Sequence, residues 1–269
     1  MGLLKFAVVC ASWLFSVFVT TAAYAELLIS PTRVDLADRE RVQELILVNT
    51  AESVRSYRLE WQESAIDAQG KQINLDHTPE YAVSPFTRFT PRQVTLQPGE
   101  RQIVKVVVRA PGKLPAAEYR SHLLFRAIPV KSEASDPANT GIKLNLLLSY
   151  SLPVIYRVDP QIATVQLVPG SLTLSQQGKG AKAVFELSRQ GAYGSFGNLR
   201  LYWQATPASE KQLIAVRNEY SLYPEEHSAN VSIPLLPEAK LPTAGLLTLE
   251  YDGAGRFSGQ QYFSTTLSL

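Results

Sequence analysis

The stretch Ile142-Lys-Leu-Asn-Leu-Leu-Leu-Ser-Tyr-Ser-Leu-Pro-Val-Ile-Tyr-Arg157 constrains this chain more than any other. Ile142, Leu144, Leu146, Leu148 and Tyr150 alternate with Lys143, Asn145, Leu147 and Ser149. Successive side chains of an extended strand point to opposite faces, so this spacing gathers an apolar ridge on one face. Leu147 makes the other face partly apolar. Residues 131–140 (Lys-Ser-Glu-Ala-Ser-Asp-Pro-Ala-Asn-Thr) are polar and rich in turn formers, so the strand is expected to emerge from a long loop. Periodicity alone leaves two readings open. The ridge packs into this protein's own core, or it is lent to another protein as an added strand.

Strand signals dominate elsewhere too, and no segment sustains a helical period. Val42–Asn49, Ser56–Trp61, Val94–Leu96, Gln102–Arg109 and Tyr119–Ile128 read as strands, with a turn at Pro98-Gly99-Glu100. About seven strands over about 130 residues match an immunoglobulin-like sandwich. Asp159-Pro160 reads as a hinge, because proline stiffens the chain and offers no ladder donor. Beyond it, shorter strands are expected at Ala163–Val168, Ala183–Leu187, Leu199–Gln204, Leu213–Val216, Asn230–Ile233, Leu246–Tyr251 and Tyr262–Leu267. The expected fold is all-β: two immunoglobulin-like sandwiches over 26–158 and 159–269, the second smaller.

Residues 1–25 stand outside that fold. Lys5 is their one charge, Phe6 to Val19 is almost wholly apolar, and Ala23-Tyr24-Ala25 has the small-x-small form of a signal-peptidase site. The apolar run is short for a membrane span. Cleavage after Ala25 would start the mature chain at Glu26. Cys10 lies too early in the apolar run for a lipoprotein site. Cleavage removes this single cysteine, leaving a secreted chain without a disulfide. It also removes Lys5, so 26 basic residues become 25 against 24 acidic ones, a formal charge of +1. With no basic run, a nucleic-acid partner is not expected.

The chain carries no recognisable catalytic constellation. His77, His122 and His227 lie far apart and in no metal-ligand spacing, so no metal is expected. A G-x-S-x-G elbow is absent. Gly191, Gly194 and Gly197 do not lead a strand into a helix, which removes the dinucleotide reading in favour of a glycine-rich hairpin. No pair of carboxylates is singled out for glycosidase chemistry. Trp61 and Trp203 sit inside alternating strands and are expected in cores rather than on a sugar-binding platform. Neither an enzyme, a cofactor nor a small-molecule substrate is expected.

Several segments together resemble a known family. They are Ile29-Ser-Pro-Thr-Arg-Val34, Leu45-Ile-Leu-Val-Asn-Thr50, Phe89-Thr-Pro-Arg-Gln-Val-Thr-Leu-Gln-Pro-Gly99, and Glu118-Tyr-Arg-Ser-His-Leu-Leu-Phe125 with Ile128-Pro129. The 142–157 strand completes the set. In order and spacing they resemble the periplasmic chaperones of the chaperone–usher pilus pathway, the PapD-like family, in a divergent branch. The resemblance implies a two-domain boomerang in the periplasm that binds pilin or fimbrial subunits and delivers them to an outer-membrane usher. It also implies that Ile142, Leu144, Leu146 and Leu148 form a donor strand filling the subunit's open groove. Family members clamp the subunit's C-terminal carboxylate with an Arg and a Lys. Arg33 matches the first, but Pro153 stands where the Lys would be. Arg157 is the first-ranked substitute, ahead of Arg120 and Arg88. The alternative is a secreted β-sandwich that is itself a structural subunit or adhesin.

Overall fold

The structure, a computed structural model, describes residues 26–67, 70–129, 147–177 and 180–269. The leader, and Ile142, Leu144 and Leu146 of the expected ridge, lie outside the described residues.

The first half is built from β1 (Leu27–Ser30), β2 (Val34–Ala37), β3 (Val42–Asn49), β4 (Arg55–Gln62), β5 (Ser64–Ile66) and β6 (Gln72–Asn74). It continues with β7 (Thr87–Thr90), β8 (Gln93–Leu96), β9 (Arg101–Val108), β10 (Glu118–Ile128) and β11 (Tyr150–Arg157). One sheet runs β1-β3-β9-β7 and the other β2-β11-β10-β4-β8, while β5 and β6 form a separate short hairpin. Alternate residues of both sheets meet in one core: Leu45, Leu47, Val104 and Val106 from the first, Tyr57, Leu123, Phe125 and Val154 from the second. This inward-facing alternation holds the sandwich together. The expected turn at Pro98-Gly99-Glu100 carries the chain from one sheet to the other. Gly99 takes φ +75° there, a conformation that suits glycine, and its N–H bonds the Asn49 carbonyl at 2.8 Å.

The strand expected from Ile142 begins at Tyr150 among the described residues, and residues 147–149 belong to no strand. Pairing explains the difference. The β10–β11 ladder ends at Phe125↔Tyr150, and β2 pairs with β11 only over Val154–Arg157. Ahead of Tyr150 the Ser149 hydroxyl accepts a bond from the Ala127 N–H at 3.1 Å, with no ladder around it.

The second half contains β12 (Thr164–Leu167), β13 (Thr173–Gln177), β14 (Gly180–Gln190), β15 (Ser195–Gln204), β16 (Gln212–Leu222), β17 (Ser228–Pro234), β18 (Leu246–Gly253) and β19 (Gln261–Ser268). β14 pairs with β12, β13 and β17, and the facing sheet runs β16-β15-β18-β19. Phe185, Leu187, Leu199, Leu201, Val231 and Leu249 anchor a core separate from the first. Two expectations need correcting. Three strands here are longer than expected: β14 and β16 have 11 residues and β15 has 10. Gly191 and Gly194 do not close a hairpin, because β14 and β15 belong to different sheets and the link crosses between them. Trp61 and Trp203 are half-buried and packed against the two cores.

The link between the halves is held tightly. Asp159 takes φ +48°, and the Tyr193 hydroxyl lies 2.7 Å from the Val158 carbonyl and 2.6 Å from that of Asp159. The Asp38 carboxylate accepts from the Tyr156 hydroxyl at 2.7 Å and from the Asp159 N–H at 3.1 Å.

Candidate binding site: an open strand edge above a charged cleft

The first part of the site is the unpaired start of β11. Among the described residues, β11 from Tyr150 to Pro153 has β10 on one side and no ladder on the other. β1 lies across this gap, and Leu27, Leu28, Ile29, Tyr150, Ser151 and Leu152 line a cavity of about 220 Å³. Around it stand exposed aliphatics: Leu28 at 53%, Leu147 at 43% and Leu148 at 39%. The Tyr150 hydroxyl accepts a bond from the Leu27 N–H, and its ring meets Tyr57 edge-on, so the sandwich is closed at that residue. Leu152, Val154 and Tyr156 are buried on the core face of β11. Tyr150 continues that face to the start of β11, and in the sequence alone the same spacing of two runs on through Leu148, Leu146, Leu144 and Ile142.

The second part lies on the outer face of the same sheet. Residues paired across strands share a face, so Arg120, Ile155 and Asp35 stand side by side, as do Glu118 and Arg157 one step along. In the other direction His122 faces Pro153, and Arg33 stands one residue ahead of Val34, which pairs with Val154. Arg33 and Pro153 thus both stand one residue before the first pair of the β2–β11 ladder. This polar face is not a solvated surface. The second sandwich covers it, and Ile155 and Arg157 are fully buried.

Arg157 lies between Asp35 and Glu118, its Nη2 2.8 Å from Glu118 Oε2, with the Phe257 ring centre 4.8 Å from its guanidinium. Glu118 also accepts the Gly194 N–H at 3.0 Å. Only glycine suits position 194, because a Cβ there would lie 2.6 Å from the Leu222 carbonyl and 2.9 Å from Glu118. Arg33 keeps more freedom. Its Nε donates to Asp35 at 2.6 Å and its Nη1 to Ser221 Oγ at 3.1 Å, with the guanidinium 4.3 Å above the Phe196 ring. Its side chain is 11% exposed where that of Arg157 is 0%. Arg120 pairs with Glu225 of the second sandwich and stacks 3.9 Å over Tyr223. Arg88 stands apart on β7, donating to the Pro85 and Thr87 carbonyls.

The electrostatics follow from this crowding. Burial pushes the Asp35 carboxyl up, but Arg33 and Arg157 outweigh it and hold the group below its ordinary value. Burial, then Arg120 and Arg33, lower His122 to about 3, so its ring is neutral and Nδ1 shares a 2.8 Å bond with Ser64 Oγ. Among the described residues no group of three or more His, Cys, Asp or Glu could hold a metal ion.

Sequence reasoning drew attention to Arg33, Leu148 and Pro153, and the structure places Arg33 at the cleft and Leu148 beside the open edge. That reasoning missed Glu118, Asp35, Phe196, Ser221 and Glu225, whose roles arise only when the two sandwiches meet. Arg157, the first-ranked substitute anchor, faces Asp35 and Glu118 and is wholly buried.

The sequence model for "Pili and flagellar-assembly chaperone, PapD N-terminal domain" matches residues 26–161. No curated protein matches the whole sequence closely enough to count. Among solved structures, the chain is similar to one from the CsuC–CsuE chaperone–tip adhesion subunit pre-assembly complex of archaic Csu pili of Acinetobacter baumannii. That likeness has 12% identity, covers 90% of this chain and 98% of the other, and has a TM-score of 0.49. A chain of the Salmonella enterica SafA pilin–SafB chaperone complex is 14% identical over 91% of this chain and 97% of its own, with a TM-score of 0.47. The Pseudomonas aeruginosa CupB2 chaperone is 13% identical over 90% and 98%, with a TM-score of 0.42. Because the family match spans half of the sequence and covers both the open edge and the cleft floor, the chain belongs to the PapD family of pili and flagellar-assembly chaperones.

Proposed function

We propose that this chaperone is exported to the periplasm by cleavage after Ala25, captures pilus or fimbrial subunits by donor-strand complementation, and hands them to an outer-membrane usher. The family is one of assembly chaperones, not of enzymes. That membership favours this role over a structural subunit or adhesin.

The observation that supports strand donation is that β11 begins unpaired on one side at Tyr150, with exposed Leu148 just ahead of it and, by sequence, Leu146, Leu144 and Ile142 at the same spacing of two. A subunit lacking one strand has an open groove with unpaired backbone edges. The ridge would fill the groove while its backbone completes the ladder. Burying four aliphatic side chains contributes roughly 6–12 kcal/mol before ordering costs are subtracted. Exposed Leu28 and the β1 edge offer a second strip of contact beside it. In the cleft, Arg33 is the cation suited to the subunit's terminal carboxylate, being partly exposed and planar enough for a two-point bond.

The test is Leu144→Glu together with Leu146→Glu. The variant is expected to stay folded and to lose co-purification with a co-expressed subunit, because carboxylates would enter apolar pockets unpaired. If the variant is unfolded, the ridge is part of this protein's own core. If it still captures subunits, the ridge does not bind them.

A further inference from the structure

We propose that Glu225 is an internal stand-in for the subunit's terminal carboxylate, seated on Arg120 in the free protein and displaced from it on capture. The inference rests on the anchoring role given above to the cleft cations, and it assigns the second cation that Pro153 fails to supply.

Arg120 is a cation on this face whose fork is incompletely used and whose partner reaches solvent. Its Nη2 donates to the Ser64 carbonyl at 3.2 Å and to Glu225 Oε1, and its Nη1 reaches Ser64 Oγ at 3.5 Å. Its Nε is buried with no partner. Glu225 therefore holds one point of a guanidinium edge that can take a carboxylate at two. A second carboxylate entering there could satisfy both Nε and Nη2. Arg157 also has an Nε and an Nη2 without a hydrogen-bond partner, but Asp35 and Glu118 flank it and its side chain and that of Glu118 are wholly inaccessible, so neither partner opens a way in from solvent. Arg33 shares Asp35 with Arg157.

The Glu225 side chain is free to leave where its backbone is not. It sits in the turn between β16 and β17, and Arg189 clamps that turn. The Arg189 guanidinium donates to the carbonyls of Pro224 and Glu226 on the turn and of Gly191 and Tyr193 beside it. A side-chain rotation suffices to vacate the seat. The carboxylate is also the solvent-side member of the pair, with 16% of its side chain exposed against 1% for Arg120. Exchanging one carboxylate for another leaves the charge of the cleft unchanged, so Arg120 is never left buried and unpaired. Because Glu225 belongs to the second sandwich and Arg120 to the first, capture would also release one ionic tie between the halves.

The experiment titrates sodium acetate, with acetamide as the neutral control at matched ionic strength. The readout is the Arg120 Nε–Hε resonance of the 15N-labelled mature protein, compared between the parent, E225Q, and E225Q combined with R120Q. E225Q is expected to bind acetate at least about tenfold more tightly than the parent, the difference one charge-assisted pair makes. Acetamide should shift nothing, and the double variant should show no saturable acetate binding by backbone shifts in the cleft. Equal acetate affinity in parent and E225Q, an equal response to acetamide, or binding that survives R120Q would each overturn the proposal. So would an unfolded E225Q, which would make Glu225 a structural strut. The titration needs no subunit, so failure of subunit capture would refute the proposed function and leave this result standing.

Discussion

Replacing Arg157 with methionine is expected to damage the fold rather than subunit binding alone. The side chain is wholly buried and contacts two carboxylates, Asp35 and Glu118. Asp35 would keep Arg33, bonded at 2.6 Å. Glu118 would keep only the Gly194 N–H on Oε2, while its Oε1 already lacks a hydrogen-bond partner. Methionine fills most of the space, so the loss isolates the charge. Removing one partner of a buried pair costs about 3–5 kcal/mol. For a chain of this size that corresponds to a fall in Tm of roughly 6–20 °C. Scanning calorimetry is the assay, because it separates the two sandwiches if they melt independently. The loss should fall on the first, whose β10 and β11 carry both residues. Adding Glu118→Gln should restore much of the stability by removing the stranded charge. A single variant melting within about 2 °C of the parent, or a double variant no better than the single, would refute this account of the cleft.

Three further outcomes follow from the same geometry. Asp35 has a folded pKa below its ordinary 3.8, so its stabilising contribution is complete above that value and lost as pH falls through the folded pKa; urea midpoints should drop with acid in the parent and less so in Asp35→Asn. His122 is held neutral with a pKa lowered to about 3, so the unfolded chain takes up a proton that the folded one refuses, and stability should decline as pH falls from the ordinary histidine range. The His122 ring resonances should not titrate above pH about 4, and a midpoint near 6.5 would contradict its burial. Arg33→Ala should weaken subunit capture about tenfold or more, since a charge-assisted pair contributes roughly 1.5–3 kcal/mol. It should lower Tm far less than Arg157→Met, and unchanged capture would remove Arg33 from the anchor.

Much of the first sandwich was legible because its strands bury one face and expose the other. Tyr57, Leu59 and Trp61 announce β4, and Val104, Val106 and Val108 announce β9. β13, Thr-Leu-Ser-Gln-Gln, was missed because only Leu174 carries an apolar signal. The lengths of β14 to β16 were underread for the same reason, their ends being polar. The alternation from Ile142 was visible, but among the described residues the strand starts only at Tyr150, where its pairing with β10 begins. The cleft was the least legible part. Glu118, Arg120 and His122 alternate with Tyr119, Ser121 and Leu123 just as an exposed polar face would. Nothing local reveals that a second sandwich covers them, or that Glu225, 105 residues away from Arg120, completes the pair.

Hydrogen–deuterium exchange across residues 142–149, with and without a bound subunit, tests strand donation most directly. In the free protein Leu147 to Ser149 lie outside any ladder, so their amides should exchange fast, while Val104 to Val108 in the centre of the sandwich stay protected. On adding subunit, alternate amides from 142 to 149 should become protected by the new ladder, with little change in β9. Full capture with no gain of protection in that segment would contradict donor-strand complementation.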